Sequence, residues 1–287
     1  MTVDALVAAL RAASFIAMLQ AVGAVVFLRL WGPHLSEASA SIRRVAQRSS
    51  VVALVFVGAQ YAMEAGRMGG DLTAAGDLEL QRLVLRSPLA VAASLRVLGL
   101  ALIAWNLRRG AGPSLHAAVT GCGLTVAAFA LVGHTPAYPD GLWLQVVLVL
   151  HVGAAAFWFG SLLPLLLVLK REPLATSSRI VDSFSSRAGW LVPGLFLAGA
   201  ALLAALTRLS PQVLRLPYGQ IMVFKVATFT ALLGIALLNR LRLAPQLRLG
   251  RGAAVESLRA SIALEVLLIA AVLAATAVLT TFYSPHD

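Results

Sequence analysis

Two histidines, His134 and His151, stand on either side of one short proline-containing loop in a very apolar stretch, residues 133–170. His151 lies at the head of a long apolar run. A neutral imidazole is a common ligand for copper and zinc, and it is also an axial ligand for haem iron. Because an imidazole in or beside a hydrocarbon layer is costly without a partner, these residues are the first candidates for a functional site.

Methionines supply a second set of candidate ligands, because a soft thioether suits Cu(I). Met63 and Met68 flank the end of one apolar segment, and Met222 lies one turn from Lys225 in another. The competing interpretation is that these methionines only pack, as most methionines in apolar helices do, and that His134 is a hydrated loop residue. The candidate metal ligands are therefore His134, His151, Met63, Met68 and Met222.

Charged residues inside apolar segments form a third set. Each costs about 2.5–3.5 kcal/mol at a helix centre, so such residues face each other or a wet cavity. At about 1.5 Å per helical residue, four of them fall at one depth, and we expect them to set the electrostatics of one polar chamber. Three cations and one carboxylate leave an excess of positive charge, which could also bind an anion such as a haem propionate. The four residues are Arg11, Glu64, Arg96 and Lys225.

For two further residues, the predicted depth in the membrane depends on where their helices begin. His151 joins the same layer if its helix starts near Trp143. Glu265 lies near the opposite end of the last apolar segment, where we expect it to pair with an arginine or to belong to an inner gate. The remaining histidines, His34 and His116 among them, are expected to be structural or solvated.

The composition indicates an integral membrane protein. Of 287 residues, 60% are hydrophobic and 12% are charged, and the mean hydropathy is +0.87, which is too apolar for a soluble globular protein. The net charge is +11, but the basic residues occur in short clusters between apolar runs, as topology signals do, so nucleic-acid binding is disfavoured. The single cysteine, Cys122, excludes an intrachain disulfide and a CxxC metal or redox site.

Eight segments are long and apolar enough to span a membrane, for which about 20 residues are needed. We therefore predict an all-α, polytopic integral membrane protein whose eight helices form one bundle and a single domain, residues 1–287. The N-terminus lacks a cleavage site and is interpreted as the first helix. The predicted helices cover residues 3–30, 47–66, 88–107, 114–133, 143–169, 189–208, 218–239 and 260–282, with an interfacial amphipathic segment at 67–87.

The distribution of Lys and Arg predicts the orientation. Fourteen of them lie in the connections after helices one, three, five and seven, whereas the other connections carry five. The positive-inside rule then places both termini and the His134 loop outside, which is the periplasm for a bacterial inner (plasma) membrane. We find no nucleophile elbow, P-loop, HExxH or paired carboxylates, so hydrolysis and ATP-driven pumping have no support.

Several short motifs follow one another in an order that resembles a known family. They are Ser87-Pro88 running to Arg96, Gly133-His134, His151 followed by small residues and Trp158-Phe159-Gly160, Ser186-Arg187, Pro217-Tyr218-Gly219 leading to Lys225, Leu238-Asn239-Arg240, and Glu265. Together they resemble the CopD/PcoD copper resistance protein D family of bacterial inner-membrane proteins, over about residues 85–280. One departure is Ser161, where a second glycine is expected, and it argues against very close helix packing at that point.

The resemblance implies copper transport or handling across the inner membrane, with copper ion received at the periplasmic face. It also implies a soluble periplasmic copper carrier of the CopC type as a partner. Two alternatives stay open at this point. One is a membrane oxidoreductase that binds haem b or a quinone, with His134 and His151 as axial ligands. The other is a scaffold that binds the copper carrier without metal in its membrane part.

Overall fold

The computed structural model describes residues 3–108, 115–133, 141–208 and 210–283. These residues fold into eleven α-helices and contain no strand, which confirms the all-α prediction. The helices are α1 Val3–Trp31, α2 Ser39–Ala62, α3 Glu64–Gly69, α4 Leu78–Leu85, α5 Pro88–Arg108, α6 His116–Ala127, α7 Gly141–Arg171, α8 Leu174–Thr207, α9 Pro217–Leu238, α10 Ala244–Arg248 and α11 Gly252–Phe282. A π-helical turn, Asn239–Leu243, joins α9 to α10.

Among the described residues, seven helical segments are long and apolar enough to cross a membrane, and an eighth, His116–Leu131, is apolar but shorter. Three helices begin earlier than the apolar pattern predicts, because their polar first turns continue the helix beyond the apolar part: α2 at Ser39, α8 at Leu174 and α11 at Gly252. At 34 residues, α8 is about 51 Å long, whereas the hydrocarbon layer is about 30 Å thick. Its first turns therefore extend outside that layer.

Short connections make successive spanning helices alternate in direction, so the bundle has two ends. We call the end at which α1 begins the near end and the opposite one the far end. The near end also carries the segment predicted to be amphipathic, in which Asp77 caps α4 by accepting from the backbone N–H of Glu79 at 2.8 Å. Three leucines of α4 are exposed there, Leu78, Leu83 and Leu85.

An aromatic cluster joins α1, α7 and α8 in the far half of the core. Trp31 packs on Phe27 with ring centroids 4.7 Å apart, and Phe157 stacks on Phe184 at 5.6 Å. The Trp31 indole N–H donates to the Ser183 hydroxyl at 3.1 Å. Because the polar atom of the indole is satisfied, the whole ring is buried at little cost.

The tightest helix contact is between α1 and α7, where Gly23 lies on Gly160. A Cβ added at either glycine would meet backbone atoms of the other helix closer than 3.0 Å. The Gln20 amide donates to the Gly160 carbonyl at 2.9 Å beside this contact. Ser161, which stands where a second glycine was expected, is fully buried directly next to this contact.

At the far end, a carboxylate of one helix caps another. Glu172, which follows α7, accepts hydrogen bonds from the backbone N–H groups of Ser36, Glu37 and Ala38 at 3.3, 2.8 and 2.7 Å. These groups precede α2, so the negative charge also meets the positive end of the helix dipole. Burial acts to raise the pKa of Glu172, but these hydrogen bonds outweigh it and hold the pKa below its ordinary value of 4.5.

We expect Glu172→Gln to lower the free energy of unfolding by about 1–2 kcal/mol at neutral pH, because a neutral amide replaces a charged cap. Since the pKa is lower in the folded state, this stabilisation is complete above pH 4.5 and is lost as the pH falls through the folded pKa. Thermal unfolding in detergent at several pH values measures the effect. The exposed neighbour in Glu37→Gln is the control, and equal stability of the two variants at neutral pH would contradict the prediction.

Candidate functional site

The imidazole of His151 is held in one orientation between α7 and α8. Because α7 begins at Gly141, His151 lies ten residues, or about 15 Å, from the near end. Its Nδ1 lies 3.0 Å from the carbonyl oxygen of Leu195 on α8. A carbonyl can only accept, so Nδ1 carries the hydrogen, and the lone pair of the neutral ring is on Nε2. This is the tautomer in which Nε2 can bind a metal ion.

Two further residues surround this ring. Gly199, one turn after Leu195 on α8, lies against the imidazole, since a Cβ there would be 3.0 Å from the His151 Cε1 atom. Lys225 of α9 is close enough for its charge to act on His151. Within the described part of the chain, neither Nε2 of His151 nor the Lys225 ammonium has a hydrogen-bond or ion-pair partner.

Helix periodicity explains why His151 faces α8 and α9. Gly160, which contacts α1, is nine residues from His151, and nine residues at 3.6 per turn place the two on opposite faces of α7. Trp158 is seven residues from His151 and shares its face. It packs edge-on against Phe229 of α9 with centroids 5.9 Å apart. Phe229 also stacks on Phe196 of α8 at 5.8 Å.

A second polar group lies at the near end, around the junction of α2 and α3. The Glu64 carboxylate is buried and bonded by the Arg67 guanidinium, with Nε and Nη2 at 2.9 and 2.7 Å from Oε1. The other carboxylate oxygen of Glu64, Oε2, is buried without a hydrogen-bond partner. Arg67 is one of the five basic residues in the near-end connections, and its spacing three residues after Glu64 permits this pair.

Arg11 and Arg96 belong to this second group. Arg11 donates to the Thr280 carbonyl at 2.6 Å and to the Thr281 hydroxyl at 3.0 Å, at the end of α11. Arg96 is 5% exposed, lies over the Phe129 ring at 4.9 Å, and leaves its Nε without a partner. The charge of Arg11 acts on Arg96, and that of Glu64 acts on Arg11.

The four charged residues that were expected to share one polar chamber belong to two groups of contacts. Among the described residues, no hydrogen bond or ion pair joins the His151–Lys225 group to the group of Arg11, Glu64 and Arg96. The physical reason is angular, since α1 occupies one face of α7 and His151 points from the other. Depth could be inferred from residue counts, whereas the face each residue takes depends on which helices become neighbours.

The three candidate methionines lie toward the near end of the bundle. Met63 is half-buried at the junction before Glu64, and Met68 is 52% exposed on α3. Met222, on α9 with Lys225, is half-buried and packs against the cluster of Val213, Tyr218 and Leu279. His134 lies outside the described residues. The described residues contain no group of three His, Cys, Asp or Glu side chains that could hold a metal ion.

Glu265 was predicted to pair with an arginine or to belong to an inner gate. No arginine of the described chain pairs with it. Instead the Asn239 amide donates to Glu265 Oε1 at 2.6 Å, and the Trp158 indole is close enough to act on this carboxylate. Glu265 is 3% exposed and Asn239 is 9% exposed. The sequence motifs contain Asn239 and Trp158, but they do not indicate that either residue lies beside Glu265.

Comparison with known protein families decides the assignment of the whole chain. One family profile, described as copper resistance protein D-like, N-terminal domain, matches residues 1–143, and another, described as copper resistance protein D, matches residues 178–279. The chain belongs to the copper resistance protein D family. Searches of curated proteins and of solved structures found no match.

Membership of the copper resistance protein D family gives this membrane protein a role in copper resistance. The N-terminal match contains the near-end group of Arg11, Glu64 and Arg96, and the second match contains Lys225 and Glu265. His151 lies between the two matched segments. Its place in the site therefore rests on the geometry of the imidazole and not on the family match.

Proposed function

We propose that this copper resistance protein D family member transports copper ions across the bacterial inner membrane and receives them at its near end through His151. The observation that carries the proposal is the hydrogen bond from Nδ1 to the Leu195 carbonyl. It fixes the ring and leaves the Nε2 lone pair without a partner, as a metal ligand requires. Copper binding by purified protein that depends on His151 is the test.

Soft ligands complete the proposed copper site. His151 supplies one nitrogen, and His134, which precedes α7 in the chain, supplies a second. Met222 is the methionine that shares α9 with Lys225, and a thioether together with imidazoles suits Cu(I). Met63 and exposed Met68 lie at the near end beside the Glu64–Arg67 pair, where they act as first contacts for incoming copper.

The proposed orientation places the near end in the periplasm and both termini with it. It follows from the excess of Lys and Arg in the far-end connections. A soluble periplasmic copper carrier of the CopC type would then deliver copper at the near end. The family matches concern copper resistance, and they give no support to haem b or a quinone as the bound group. A scaffold without metal in its membrane part would leave the fixed imidazole without a function.

Lys225 opposes a cation at this site. Its ammonium acts on His151 and has no ion-pair partner among the described residues. We expect Lys225→Gln to tighten copper binding at His151 by about tenfold, which corresponds to about 1.4 kcal/mol of relieved repulsion. Competition with a chromophoric copper(I) chelator measures the affinity of the purified protein.

The matched control for Lys225 is Lys170→Gln, which removes the same charge from the exposed far end of α7. We expect the control to leave the affinity unchanged. Equal affinity of wild type and Lys225→Gln would contradict a copper site beside this lysine, and weaker binding would make Lys225 a positioning residue instead.

A further inference from the structure

Glu265 is a buried carboxyl group deep inside a membrane-spanning helix. It lies 13 residues from the start of α11 and 17 from its end, or about 20 and 26 Å along the helix axis. Among the described residues, the hydrogen bond that reaches it comes from a neutral donor, the Asn239 amide, and the nearby Trp158 indole is also neutral. A carboxylate at such a depth is costly unless a cation or a proton neutralises it.

The cations of the helices packed against α11 are placed away from Glu265. On α1 and α7, Arg11 bonds to Thr280 at the near end and His151 bonds to Leu195, while the other cations are exposed at the far end. The remaining charges of α1 and α7 are Asp4, Arg29, Lys170 and Arg171.

The cations on α9, on the π-helical turn, on α10 and on α11 itself also lie away from Glu265 or are paired. Lys225 lies fourteen residues before Asn239 on the near side and acts on His151, and the Arg240 guanidinium lies against Gly189 of α8. The other charges here are exposed or paired: Arg242 is exposed, Arg248 pairs with Asp182 at 3.1 Å, and Arg259 pairs with Glu256 at 2.7 Å on α11 itself. In the described chain, no cation is therefore available to neutralise Glu265.

The Asn239 amide can present either of its ends to Glu265. With Nδ2 toward the carboxylate, it donates at 2.6 Å, but Oδ1 is then buried without a donor. If the amide turns around, a protonated Glu265 donates its O–H to Oδ1, and 2.6 Å is close to the usual length of an O–H···O bond. The Trp158 indole N–H can donate to the carboxyl group in both arrangements.

We propose that Glu265 and Asn239 form a proton-binding site within the membrane, at which Glu265 alternates between a carboxylate that accepts from the amide NH2 and a carboxylic acid that donates to the amide oxygen. Protonation adds one proton to a Glu265 oxygen, and deprotonation returns it to water. The reversal of Asn239 satisfies its oxygen only in the protonated form. The site lies two turns further along α7 than His151, on the same face, through Trp158.

This site supplies a driving force to copper transport, a step that rests on the proposed function. If each copper ion exchanges with one proton at Glu265, a transmembrane pH difference sets the copper distribution. One coupled proton changes the equilibrium accumulation ratio by about tenfold per pH unit. In this scheme Glu265 acts as the expected inner gate because its charge changes when it gains or loses the proton.

Infrared spectroscopy of the purified, reconstituted protein tests the proton site without copper. We expect the wild type to show a carboxylic acid carbonyl band that disappears as the pH is raised, and we expect Glu265→Gln to lack this band. Glu256→Gln, which alters the exposed carboxylate of the same helix, keeps it. In Asn239→Leu the band persists at a shifted frequency, because the acid loses its acceptor. An unchanged band in Glu265→Gln, or no such band in the wild type, would overturn the proposal.

Proteoliposomes loaded with a copper indicator test the coupling. The wild type and Glu256→Gln should change their copper accumulation ratio by about tenfold per unit of imposed pH difference, and Glu265→Gln should not respond. Copper movement in the wild type without any response to pH would overturn the coupling while leaving copper transport intact. Absence of copper movement together with a titrating Glu265 band would instead reject the proposed function and retain the proton site.

Discussion

Replacing His151 with alanine is expected to weaken copper binding by the purified protein by at least about 100-fold and to abolish copper-dependent resistance in cells. The imidazole is the one described nitrogen ligand whose tautomer is fixed with Nε2 free, through the 3.0 Å contact of Nδ1 with the Leu195 carbonyl. Loss of an outer partner of a metal ligand alone typically costs about 10- to 100-fold in affinity, and loss of the ligand itself should cost more. Elemental analysis of purified protein and a chelator competition measure the change.

A second substitution distinguishes the loss of a copper ligand from a loss of folding. His151→Asn retains a side-chain N–H near the position of Nδ1, so the bond to Leu195 can persist, but it has no atom at the position of Nε2. We expect it to fold and insert like the wild type and to bind copper as weakly as His151→Ala. His34→Ala and His116→Ala, at exposed far-end positions, should bind copper normally. Wild-type copper content in both His151 variants would reject the assignment of the site.

Gly160→Ala is expected to lower the free energy of unfolding by about 3 kcal/mol, at the upper end of the cost of overpacking. The new Cβ would meet the Leu19 carbonyl and the backbone of Gly23 closer than 3.0 Å. Because these are backbone atoms, no side chain can turn away, and α1 and α7 must separate. Separation also disturbs the Gln20 hydrogen bond to the Gly160 carbonyl. Thermal unfolding and monodispersity in detergent are the measurements.

Gly153→Ala is the matched control on the same helix. A Cβ at Gly153 would lie 4.0 Å from the nearest atom, on Val126, which is an ordinary contact. Alanine is favoured over glycine in helices by up to about 1 kcal/mol, so we expect this variant to be at least as stable as the wild type. Similar stability of the two variants would show that α1 and α7 are not in close contact.

Most of the fold could be predicted from the sequence because membrane spans are defined by length and hydropathy, which are local properties. Where boundaries differed, as for Leu174 at the start of α8 rather than residue 189, polar first turns continue the helix beyond its apolar part. The depth of His151 was also predictable, since it requires only the start of α7 near Trp143 and the helical rise.

The contact partners of the charged residues and of His151 could not be predicted in the same way. Lys225 and Glu64 have similar depths, yet one lies beside His151 and the other pairs with Arg67. The choice follows from which helices meet across the bundle, and that depends on close contacts such as Gly23 with Gly160. The partners of Glu265 were missed for the same reason, although the spacing of His151 and Trp158 shows that they share a face of α7.

The cap on α2 has a consequence for the biogenesis of the protein. The backbone amides of residues 36–38 lie in the turn between α1 and α2, but the carboxylate that binds them comes 134 to 136 residues later. During synthesis the chain emerges from its N-terminus, so α1 and α2 enter the membrane as a hairpin whose turn still has hydrated amides. That turn is completed only after α7 has been inserted. The first hairpin is thus held in its final place by the residue that follows α7, and insertion and final packing of α1 and α2 are separated in time.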